Sequence, residues 1–122
     1  MTYIDGFLAA VPADRKDEFV AHARNSAKLI REYGALRVVD CWSDDVPHGK
    51  QTDYYMAVKA KEGEIVAFGW VEWVSKEARD AAWAAMMKDP RMMGPEAVSP
   101  PYDGARMVYG GFAMVQENGV KL

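Results

Sequence analysis

The sequence predicts an α+β domain of the ferredoxin-like kind, a β-α-β-β-α-β sandwich with an insertion between its second and third strands. Three observations carry that reading. Hydrophobic periodicity switches along the chain in the order strand, helix, strand, long connection, strand, helix, strand. Both helical segments are apolar along one side only, which suits two helices on one face of a four-stranded antiparallel sheet of spatial order 4-1-3-2. The chain has 122 residues, half of them apolar, which suits a single core.

Residues 3 to 11 read as the first strand. Pro12 and Asp14 mark the next start, with Asp14 as the expected N-cap. Phe19, Ala23, Ala27, Ile30 and Tyr33 then recur at spacings of four and three, and Gly34 closes the helix. Leu36 to Trp42 form the second strand. Ile65 to Val74 form the third, apolar enough to be buried on both faces. Ser75 caps a second helix with Ala78, Ala82, Ala85 and Met86 on one side, stopped by Pro90. The last strand runs from about Arg106 to Val115.

Two long connections separate these elements. In Ser43 to Glu64, the run from Thr52 through Tyr54, Ala57 and Val58 reads as a short helix or as an alternating strand. Asp89 to Ala105 carries Pro90, Pro95, Pro100 and Pro101 with Met92, Met93 and Tyr102, a composition suited to a packed cover. The domain is expected to span residues 1 to 115, followed by a short polar tail over 116 to 122.

Eighteen acidic and fifteen basic residues give a net charge of -3, which disfavours a phosphate-neutralising surface and hence nucleic acid. Cys41 is the one cysteine, so no internal disulfide forms, and its apolar strand predicts a buried, reduced thiol. With no signal-like start and no run of about 20 apolar residues, a cytoplasmic protein that does not span a membrane is expected. No glycine-rich phosphate loop, dinucleotide fingerprint or Ser-His-Asp constellation is present, so no cofactor is expected.

Three strands each carry one acid among apolar neighbours: Asp5, Asp40 and Glu72. Alternation groups Tyr3, Asp5 and Phe7, then Val38, Asp40 and Trp42, then Phe68, Trp70 and Glu72. If these groups and Tyr109 share the face away from the helices, that face is an aromatic patch, and a homodimer packed sheet to sheet would cover it. The opposite register, Gly6, Leu8 and Ala10, Val39 and Cys41, Ala67, Gly69 and Val71, and Gly110, is small enough for helices to approach. Antiparallel pairing of the first and third strands would bring Asp5 to Glu72 and leave Asp40 toward the other end.

The runs YIDGF, RVVDCWSDDVPHGK, TDYYMAVKA, GWVEWVSKEARDAA, MMKDPRM and PYDGARMVYGGF resemble the bacterial domain-of-unknown-function family 1428, the YbaA-like proteins, over nearly the whole chain. The resemblance rests on combinations: Trp42 followed by Asp44-Asp45-Val46-Pro47, Asp89-Pro90-Arg91-Met92, and Asp103-Gly104 before Arg106-Met107. It implies the fold of the dimeric α/β barrel proteins, which include cofactor-free monooxygenases, small-ring isomerases and many members of unassigned activity.

The other polar residues divide between structural and functional readings. Asp44, Asp45, His48 and Asp53 read as solvated turn chemistry in preference to a metal site, and His22 as a surface histidine. Trp83 and Met87 read as packing under the long loop. Arg91 and Arg106 either clamp an anionic ligand or tie the cover loop to Asp44 or Asp45, the tie being favoured. Tyr54, Tyr55 and Tyr102 are candidate cavity lining. Two function classes follow. One is a small-molecule enzyme with Asp5, Glu72 or Asp40 as base, lined by Trp42, Trp70, Tyr54, Arg91, Tyr102 and Arg106. The other is a non-catalytic dimer that binds a ligand or a protein.

Overall fold

The computed structural model describes residues 2–94 and 97–119. Pro95, of the cover loop, and residues 120–122 of the expected tail lie outside them. In chain order the elements are β1 (Tyr3–Pro12), α1 (Lys16–Glu32), β2 (Arg37–Trp42), α2 (Tyr54–Ala57), β3 (Glu64–Trp73), α3 (Lys76–Met86), α4 (Pro90–Met93) and β4 (Val108–Ala113). The strands form one antiparallel sheet in the order β2-β3-β1-β4, an α+β architecture consistent with a ferredoxin-like fold.

Local chemistry sets the boundaries. Asp14 is not a cap: residues 13–15 form a turn of 3-10 helix, and Arg15, which makes no side-chain cap bond, precedes α1. Pro12 fixes the backbone just before that turn and so favours a tight start. At the other end Gly34 N–H donates to Arg31 O at 3.0 Å and Ala35 N–H to Ile30 O at 3.3 Å, a Schellman closure. Ser75 caps α3, its hydroxyl accepting from Ala78 N–H at 3.1 Å. The insertion is helical rather than extended at α2, and Asp53 caps it, accepting from Met56 N–H at 2.7 Å.

Pairing register decides which side chains share a face. Tyr3 pairs with Trp73, Asp5 with Val71 and Phe7 with Gly69 across β1 and β3. Val38 pairs with Val71, Asp40 with Gly69 and Trp42 with Ala67 across β2 and β3. This face lies beneath the helices. Phe19 of α1 packs with Ala9, Val11, Ala67 and Trp42, while Ala82 and Met86 of α3 pack with Val71, Trp73 and Tyr3. The other face holds Ile4, Leu8, Val39, Phe68, Trp70 and Phe112. α2 covers one end of it, where Val58 packs on Ala10 and Val66.

The expected faces therefore need correcting. Phe68, Trp70 and Glu72 lie opposite Tyr3, Phe7 and Trp42, so the aromatic residues divide between the two faces instead of gathering on one. The small residues divide too: Ala67, Gly69 and Val71 face the helices, and Gly6, Ala10, Cys41 and Gly110 face away. Cys41, expected buried, is exposed there. Among the described residues no helix is long and apolar enough to cross a membrane.

Candidate functional site

Asp5 and Glu72 are not a pair. Asp5 is opposite Val71, and Glu72 is opposite Ile4, so the acids are offset by one residue and leave the sheet on opposite sides. Their partners differ accordingly. Asp5 accepts from Trp73 Nε1 at 2.9 Å, Trp83 Nε1 at 3.0 Å and Arg79 Nη2 at 2.8 Å. Four N–H donors, counting Arg79 Nε, converge on this one carboxylate, which pins α3 to the sheet. Gly111, the cross-strand partner of Asp5, leaves the necessary space: a Cβ there would lie 2.6 Å from the Tyr3 hydroxyl and 2.9 Å from Arg79 Nη2. Trp83 is thus a ligand of Asp5 as well as packing. Glu72, on the far face, accepts from Trp70 Nε1 at 2.9 Å and has Arg37 Nη1 at 3.5 Å.

Asp40 stands apart. Among the described residues its side chain makes no hydrogen bond or ion pair; it lies on the helix-side face between Val38 and Trp42, opposite Gly69, and is exposed. Solvent reaches it, yet enough protein surrounds it to push its carboxyl pKa upward by desolvation. Gly69 matters to this recess. A Cβ there would lie 2.6 Å from Val39 O and inside the ring of Phe7, so the missing side chain lets Phe7 lie across β3 toward Asp40.

Around Asp40 the walls are aromatic and titratable. Trp42 packs against Phe19 with ring centroids 5.5 Å apart, and Tyr102 from the cover loop meets Phe19 at 6.3 Å. His22 of α1 stands edge-on to Tyr102 at 5.9 Å. Its Nε2 lies 3.4 Å from the Ser26 hydroxyl, and burial pulls its pKa down, keeping the ring neutral. Tyr102 is pushed up by burial first and by the charge of Asp40 second, so its phenol keeps its proton. His22 is therefore a half-buried wall residue and not the surface histidine expected. A shallow groove of about 770 Å³ runs between α1 and β2; Val38, in its lining, is two residues from Asp40 on the same face.

The remaining candidates lie elsewhere. Trp70 is on the far face, where Phe68 meets it at 5.9 Å and Tyr54 meets Phe68 at 6.4 Å. Tyr55 stacks on His48 at 4.2 Å and donates to Val46 O, so neither tyrosine lines the Asp40 recess. Arg91 is a structural tie, though not to Asp44 or Asp45: Nη2 reaches Asp89 at 2.8 Å and Glu32 at 3.0 Å. Tyr33 adds a donated bond to Asp89 at 2.7 Å, joining the end of α1 to the loop after α3. Arg106 grips Glu64 through two bonds of 2.8 Å and holds Asp103 at 3.2 Å, anchoring the turn at residues 104–106 to the start of β3. Among the described residues no cluster of three His, Cys, Asp or Glu side chains is placed to hold a metal ion.

A family model described as "Protein of unknown function (DUF1428)" matches residues 2–104. The "Uncharacterized protein YbaA" of Escherichia coli strain K12 is 56% identical over 115 residues, covering 94% of this chain and 97% of the relative. Its counterpart from Shigella flexneri matches with the same figures.

Proposed function

The chain belongs to the DUF1428 family, and for it we propose a small-molecule proton-transfer enzyme whose base is Asp40. The observation that carries this is the contrast among the three strand acids. Asp5 and Glu72 are occupied by indole and guanidinium donors, whereas Asp40 has no partner among the described residues and a pKa raised by burial. A carboxylate whose pKa is raised from its ordinary value can take a proton from a carbon beside a carbonyl and return it to a neighbouring atom, an isomerase-like reaction balanced without any co-reactant. Tyr102, kept protonated and close enough to feel the charge of Asp40, would donate to the developing oxyanion, and Trp42 and Phe19 would give the apolar wall.

The working form in this reading is a homodimer joined through the far face of the sheet. What supports it is that Phe68 and Phe112 are 43% and 64% exposed there, beside the half-buried Ile4, Leu8 and Val39. A purely non-catalytic binding dimer shares this surface but gives Asp40 no task.

The test uses 2-tetralone, an uncharged enolisable ketone, in D2O. Proton NMR follows wash-out of its α-hydrogens. The wild-type protein should accelerate exchange over buffer, and Asp40→Asn should lose at least 100-fold of that acceleration while remaining folded. Equal exchange by both proteins would remove Asp40 as the base.

A further inference from the structure

We propose that the groove between α1 and β2 binds an organic monocarboxylate with an apolar body, its head held by Lys28 and Arg31 and its body laid against Leu36. This site goes beyond the reading of Asp40 as a base and stands without it. Charge marks the groove first. In a chain of net charge -3, its walls carry Lys28 and Arg31 from α1 and Arg37 from β2 against one acid, Glu32. That acid is already taken, since Arg91 Nη2 reaches its carboxylate at 3.0 Å.

How each cation is held decides which of them can meet a ligand. Arg79, Arg91 and Arg106 are each paired with two carboxylates. Arg31 is fixed differently: Nη1 donates to Ala35 O at 2.9 Å and to Leu36 O at 2.7 Å, in the segment that leads from α1 into β2. Carbonyls orient the guanidinium without cancelling its charge, and among the described residues Nε and Nη2 have no partner. Lys28, one turn earlier on the same side of α1, is exposed and meets no acid among the described residues. Arg37 is held over the Trp70 ring at 5.9 Å and lies 3.5 Å from Glu72, so it adds field more than a free donor. An oriented guanidinium beside an ammonium matches a carboxylate head.

The apolar part of the lining supplies the rest of the class. Ala27, Leu36 and Val38 share the groove with the cations, and Leu36 is 45% exposed. At about 770 Å³ the groove holds far more than a bare carboxylate. A small inorganic anion would leave the leucine wet, and an uncharged hydrocarbon would leave the cations unpaired. A carboxylate with an alkyl or aryl body does both tasks.

Three probes divide the ligand: octanoate, 1-octanol as the tail without the charge, and acetate as the head without the tail. Each is titrated into nitrogen-15-labelled protein while the amide signals of Ala27, Leu36 and Val38 are followed. Octanoate should move these signals and bind at least about fivefold tighter than either fragment, weakening as salt is raised. Lys28→Gln and Arg31→Gln should each weaken octanoate at least about threefold. Because Arg31 also ties the end of α1, Lys28→Gln decides the matter if Arg31→Gln does not fold. Octanol binding as tightly as octanoate would reduce the groove to an apolar patch, and acetate binding as tightly would reduce it to diffuse charge. Either result overturns the proposal, as do shifts confined to other residues or octanoate binding unchanged in Lys28→Gln.

Discussion

Asp5 and Trp83 are joined by a 3.0 Å hydrogen bond from the indole across 78 positions of sequence, and with Trp73 and Arg79 this bond makes Asp5 a structural anchor. The acid that first invites a catalytic role in β1 is thereby accounted for by the docking of α3. Removing it leaves two indole donors and a guanidinium without their acceptor. Asp5→Ala should cost about 3 kcal/mol of stability, read as a lower urea midpoint. A neutral result would mean that the four donors find water without penalty.

Gly111 tests the same anchor from the other side. Gly111→Ala places a methyl against Tyr3 and Arg79 Nη2, so it should destabilise by about 1–3 kcal/mol through overpacking. Because both changes disturb one cluster, the double variant with Asp5→Ala should cost less than the sum of the two, as read from a double-mutant cycle in urea.

Asp40 makes the opposite prediction. Its folded pKa lies above the unfolded value, so the native state binds more protons in the interval between the two, and stability falls as pH rises through it. Asp40→Asn should remove that downward slope and leave the protein at least as stable at pH 7, as measured by thermal unfolding over pH 3 to 7. A stability loss on removing the charge would show that Asp40 is paired after all.

Glu64 titrates with the reverse sign. Arg106 chiefly, against the cost of burial, holds its pKa down at about 2, below the unfolded value. The pair's contribution is therefore present at neutral pH and lost as pH falls from the ordinary glutamate range toward about 2. Glu64→Gln should flatten this acid limb, and hydrogen exchange should report earlier opening of residues 103–107.

The exposed face of the sheet carries a prediction about assembly. If the proposed far-face homodimer forms, the wild-type protein should sediment as a dimer at micromolar concentration and Phe112→Asp and Phe68→Asp should each shift it to monomer, whereas a monomeric wild type would overturn the dimer. Retention of a dimer by both variants would place the interface elsewhere.

Element order was readable because periodicity and turn chemistry are local: the Phe19 to Tyr33 stripe, Ser75 and Gly34 each act over one or two turns. Facing was not. β3 is apolar on both sides, so its alternation does not say which side meets the helices, and a one-residue difference in register moves Glu72 from the side of Asp5 to the other. Trp42, Tyr102 and Asp40 were identifiable from the sequence as candidates, but what unites them is tertiary. His22 was missed although a signal existed: it lies three residues after Phe19 and four before Ser26, on the margin of the buried stripe. Cys41 misled because a thiol in an apolar strand is as apolar as its neighbours, whichever side it faces.

The empty position at Gly69 has a consequence for shape. With the Phe7 ring occupying the place of a side chain, the floor beside Asp40 is formed by an aromatic ring that can be resized by mutation without touching an acid. Phe7→Leu would lower that floor, and Phe7→Trp would raise it. On the proposed reading of Asp40 as a base, the width of molecules admitted would be set by Phe7 and not by the base itself, so selectivity and basicity could be altered separately.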